Sequence, residues 1–266
     1  MKLKLFLITA VSICVAGILY AAPLRTIYGT PPVTFPEASN TLLSAKTSPG
    51  NGTAVDLGMT VDKHTFNISL GGTNPTAVVV QVKGSNDNSA WFDLVAGTGH
   101  TFTVTELVSQ GTFDASSSWT AGSGWTIADA SAHITGNVAV SSLYESSANM
   151  AAAYVAGETY VLKFTTTACT SGNVTPSVGD VSGTAVSTNG AQSQTFTIGD
   201  ASGAYGVYFT AAIQTICTID SVYLARLNES FHVINKPVRY IKGSYISKTG
   251  GSTDTAVTLT ATSGGN

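Results

Sequence analysis

The chain has 266 residues, of which 43% are hydrophobic and only 10% charged. That length allows one or two domains, and that hydrophobic content excludes a disordered chain. Twelve basic and 15 acidic residues leave a formal net charge of −3. The Lys and Arg residues are scattered singly, which excludes the clustered cations that non-specific nucleic-acid binding needs. Low charge with abundant Ser, Thr, Gly and Val suits β-strands with neutral, hydroxylated outer faces, as in exported and surface-assembled proteins.

The N-terminus carries Lys2 and Lys4 ahead of the uncharged, largely apolar stretch 5–20, followed by Ala21, Ala22 and Pro23. Residues 1–22 are therefore expected to be a signal peptide or an uncleaved signal anchor, placing the protein outside the cytoplasm. A cut after Ala22 would put bulky Tyr20 where a small residue is preferred, so both alternatives stand. Residues 23–40 hold four of the eight prolines. Proline fixes φ and removes a donor, so this stretch is expected to be a linker, or an arm reaching a neighbouring subunit.

From Thr41 the apolar period is two. Phe66, Ile68 and Leu70 alternate with polar residues, and Val78, Val80 and Val82 share one face of the next strand. The turn-rich run 84–88 and the restart at 90–94 predict a hairpin. Strands are also expected at 238–241 and 256–260. Trp91 alternates with Asp93 and is expected in the core. Residues 41–109 and 228–264 thus read as two pieces of one β-domain.

Between them, 110–227 has its own start, core pattern and end. Strands are expected at 132–135, 142–145, 159–166, 193–198, 206–210 and 217–224, with Tyr160, Leu162 and Phe164 inward. The one helical candidate is the short stretch 147–153. The fold class that follows is all-β: two antiparallel β-sandwich domains, the second, jelly-roll-like, inserted into a loop of the first. Insertions are tolerated at loop tips, where binding surfaces also concentrate. Cys14 lies in the leader. Cys169 and Cys217 form either a disulfide or two small buried side chains.

The motifs GTFD, the GW pair at 124–125, AGETYVLKF and TIDSVYLARL resemble those of carbohydrate-binding-module-like jelly rolls found in glycosidases and phage tail proteins. VQVKGSNDNSAWFDL and KPVRYIKGSY resemble a small β-domain of phage decoration and fibre proteins. The first resemblance implies a structural calcium between Asp114 and Asp220, which backbone carbonyls and water would have to complete. It also implies sugar stacking on exposed aromatics, with Trp119, Tyr144, Tyr154, Tyr205 and Tyr208 as candidates and Trp125 expected in the core.

Catalytic residues are not expected. His64, His100, His133 and His232 are far apart, and no GxSxG, HExxH or P-loop pattern occurs. No cofactor other than that calcium is called for. The reading is a non-enzymatic surface protein, either a virion decoration or fibre component or a secreted or anchored bacterial surface protein. Its partners would be assembly subunits, copies of itself and cell-surface glycans, with no nucleic acid and no membrane contact beyond an uncleaved leader.

Overall fold

A computed structural model describes residues 38–264, apart from 73–74, 116–117, 200–204 and 252. The leader and nearly all of the proline-rich stretch lie outside the described residues. Among the described residues no helix is long and apolar enough to cross a membrane.

One antiparallel sheet of eight strands is drawn from both ends of the chain. Its strands are β1 (Ala38–Lys46), β2 (Gly50–Asn51), β3 (Val55–Gly71), β4 (Ala77–Ser85), β5 (Phe92–Asp93) and β6 (His100–Thr103), with β17 (Asn228–Thr249) and β18 (Ala256–Gly264). The main order is β1-β18-β3-β17-β4-β5, with β2 added on β17 and β6 on β4. The predicted hairpin is β4–β5, with Lys83 opposite Asp93. Its turn is fixed by Asp87, whose carboxylate accepts from the amides of Ser89 and Ala90. Those donors hold the Asp87 carboxyl well below the usual range.

β17 pairs with β3 through its first half and with β4 through its second. The sheet curls over itself. Gly243 of β17 lies so close to β1 that a Cβ there would come 3.1 Å from Leu42 Cβ and 2.7 Å from Leu259 Cδ2. The curl encloses Phe66, Ile68, Val78, Val80, Val82, Ile241 and Leu259, all fully buried.

The remaining strands all come from 119–226 and form two antiparallel sheets of five. β7 (Trp119–Ala121), β10 (Ser141–Ser146), β12 (Val174–Val178), β13 (Val181–Ser182) and β15 (Tyr205–Ala211) form one. β8 (Trp125–Ala128), β9 (Ser131–Thr135), β11 (Thr159–Ser171), β14 (Gly190–Thr197) and β16 (Ile216–Arg226) form the other. A shared core joins the two, with Leu143, Val174 and Phe209 from the first meeting Ile134, Leu162, Phe164 and Leu224 from the second. This is a β-sandwich. Phe164 and Phe209 meet edge-on across it at 5.0 Å.

The chain enters and leaves this sandwich at one place. Glu106 bridges to Ala225, Leu107 N–H donates to Leu224 O, and Val222 N–H donates to Gly111 O. Gly111 approaches the Val222 carbonyl so closely that no Cβ would fit.

Four local expectations differ from the structure. The first described strand starts at Ala38 rather than after residue 40. The helical candidate reduces to a 3₁₀ turn at Ser147–Asn149. Trp91 is only half-buried and carries Lys242 Nζ 4.0 Å from its ring centroid, a cation–π contact instead of core packing. β12, at Val174–Val178, is not among the expected strands, and it runs through Pro176.

Candidate functional site

The outer face of the β13-β12-β15-β10-β7 sheet is the best-formed candidate surface. Alternation along β10 turns Leu143 inward, so Ser142 and Tyr144 point out. Along β15, Phe209 points in and Tyr208 and Thr210 point out. The register places Tyr144 directly opposite Tyr208 and Ser142 opposite Thr210. Ser142 Oγ and Thr210 Oγ1 lie 3.2 Å apart. Thr120 stands across from Tyr144 on β7, while Ser177, across from Tyr208 on β12, is buried and donates to Ser182 Oγ. Two phenols opposite in register, beside the hydroxyls of Ser142, Thr210 and Thr120, can stack a neutral ring and hydrogen-bond its edge.

Trp119 and Tyr154 do not join this platform. Trp119 is 5% exposed and packs on Phe113 at 4.9 Å, with its indole N–H donating to Gln110 O. Its expected exposure after a serine run gives way to core packing, because the inward positions of β7 face the sandwich. Tyr154 is also buried, edge-on to Tyr160 at 5.3 Å. Burial raises its phenol above the ordinary range, with Tyr160 and Glu145 adding to the shift. Neither ring offers a face to a ligand. Tyr205 opens β15, and its side chain lies outside the description. Trp125 is a core residue.

A cleft of about 330 Å³ beside the chain entry is lined in part by Thr112 and Ser221, with neither Asp114 nor Asp220 in its lining. Asp114 accepts from Thr112 Oγ1 at 2.6 Å, and Asp220 accepts from the Ser221 amide. Among the described residues no group of three His, Cys, Asp or Glu could hold a metal ion. A calcium there would depend on backbone carbonyls and water for most of its shell. The sulfurs of Cys169 and Cys217 are bonded to each other and tie the end of β11 to the start of β16.

One residue that sequence reasoning passed over is chemically unusual. Glu145 lies on the inward face of β10 with Ser141 and Leu143 and is fully buried. Its Oε1 accepts from Ser109 N–H at 3.2 Å, while Oε2 has no hydrogen-bond partner. Burial raises its pKa to about 7, opposed by Ser109 and reinforced by the nearby Glu106 charge. Its signal in the sequence was a carboxylate in phase with inward Leu143. Glu106 is raised by its own partial burial. The two could have suggested an acid–base pair, but Glu145 is sealed from solvent and no cleft reaches it among those beside the chain entry.

His133 is held by Ser131 Oγ at 3.0 Å and Thr218 Oγ1 at 3.0 Å, a hydroxyl pair without a carboxylate. No protein-family model matches the chain, and a search of curated proteins finds no significant match.

Proposed function

We propose that this is a non-enzymatic, surface-exposed structural and adhesion protein, a virion decoration or fibre component, in which 110–227 is a domain inserted into a loop of the other. The observation that carries this is the pairing of the entry segment 106–111 with the exit segment 222–225. One side of the chain's eight-stranded sheet thereby holds a separate sandwich at a single stalk, an arrangement suited to display. The Tyr144–Tyr208 face is the ligand surface in this reading, and a glycan is its ligand. Affinity from two rings is weak, and repeated copies on one particle would raise it by orders of magnitude.

Locating the protein in purified virions, by mass spectrometry against the cell envelope, tests the assembly. Enrichment in the envelope would favour a bacterial surface protein instead. On a glycan array, Tyr144→Ala and Tyr208→Ala should each weaken binding about tenfold without unfolding the protein, since both rings point away from the core. If wild-type protein binds no glycan, or both variants bind as it does, the platform has no such role.

A further inference from the structure

The end of the sandwich farthest from the stalk is uncharged and aliphatic. β11 leaves the stalk at Thr159, where Leu227 N–H donates to Thr159 O, and ends at Ser171. At about 3.3 Å per residue the far end lies roughly 40 Å out. The strand ends and loops that build it, 134–143, 166–175, 186–192 and 208–218, contain no Asp, Glu, Lys, Arg or His. At its tip Val138 is 88% exposed, Val140 64%, Ile213 55% and Ile216 42%.

The loops carrying them are stitched to one another. Gly136 N–H donates to Thr215 O, Gln214 N–H to Asn137 O and Ala212 N–H to Asn173 O. Thr215 N–H donates to Asn137 Oδ1, and Ser171 Oγ to Gln214 O. Asn137 and Thr215 are themselves buried. The Cys169–Cys217 bond braces the same end. Several polar groups of these loops are thus paired internally, and the four aliphatic side chains face outward beside exposed Thr170, Ser171 and Gln214.

We infer that this tip inserts its aliphatic side chains into the apolar region of a neutral lipid bilayer. Charges entering hydrocarbon are costly and backbone groups there need partners; these loops carry no charge, and the amides of Gly136, Ala212, Gln214 and Thr215 are paired. A second copy of the chain fits less well. Four aliphatic side chains fall far short of the roughly 20–30 residues a side that a stable protein interface uses. A bilayer demands neither a matching pocket nor that area. With no cation at the tip, binding does not depend on anionic headgroups. This inference is independent of the tyrosine platform, which lies on the sheet face.

The test uses the full chain and phosphatidylcholine vesicles. Val138→Trp should shift its emission to the blue and be quenched by brominated phosphatidylcholine, a signal the leader cannot produce. Val138→Asp and Ile213→Asp, at exposed positions that leave the melting temperature unchanged, should each lower vesicle binding at least tenfold. Binding should be similar with anionic vesicles and insensitive to salt. An unquenched Val138→Trp, or aspartate variants that bind like wild type, overturns the inference. So does tip-dependent dimerisation without quenching, which would assign the tip to a second copy.

Discussion

Replacing Cys169 and Cys217 together by alanine should destabilise the protein by about 4 kcal/mol, the chain-entropy cost of releasing a closed loop of this length. The two residues are 48 apart in sequence. Cross-linking them restricts the unfolded chain, and the native state already holds β11 and β16 side by side through Tyr160–Arg226 to Ser171–Ile216. Alanine leaves the Cys217 position apolar, so little of the loss would come from burying a new polar group. The melting temperature should fall by on the order of 10 °C, and a reductant should lower that of wild type similarly while leaving the variant unmoved. Equal melting temperatures with and without reductant would mean that the bond contributes nothing. A stable bond of this kind also suits an oxidising compartment.

Glu145→Gln should remove a pH dependence that wild type shows between about pH 4.5 and 7. The folded-state pKa of about 7 lies above the ordinary glutamate value of 4.5, so over that window the native state keeps a proton that the unfolded state has lost. Stability from this group is therefore full below pH 4.5, falls as pH rises, and levels off above 7. The difference amounts to about 3 kcal/mol. Glutamine keeps the carbonyl that accepts from Ser109 N–H and cannot ionise. Denaturant titrations at pH 4 and pH 8 should show the variant close to wild type at the lower pH and more stable at the higher. The groups facing Glu145 are the Ser109 amide, the Glu106 carboxylate and the Tyr154 ring. Glu106→Gln should narrow the gap by removing the like charge. Asp56 works in the opposite sense: its bidentate contact with Arg239 holds it near pKa 2, but both groups are exposed and screened.

Much of the strand pattern was legible. Phe66, Ile68 and Leu70, Val78, Val80 and Val82, and Tyr160, Leu162 and Phe164 are all buried at the expected alternation. These runs are long enough for a period of two to declare itself. β7 has three residues, too few for a period, so Trp119 could not be assigned a face from its serine neighbours. β17 was read as one short strand near 238–241 because Lys236 and Pro237 interrupt the pattern. In the fold it continues through a bulge between Ile234 and Val238 and spans 22 residues. Of the aromatic candidates with described side chains, Tyr144 and Tyr208 come together on an outer face, by a register between strands more than 60 residues apart.

The sequence alone determined the all-β, antiparallel character of this protein, because alternation and turn chemistry act between near neighbours. Tertiary structure alone decided which rings meet solvent, why Glu145 is sealed in, and how Val138 and Ile213 share one tip. Each of those depends on a partner strand supplied from far along the chain. Burial is a property of both faces of a contact, and the sequence displays only one of them at a time.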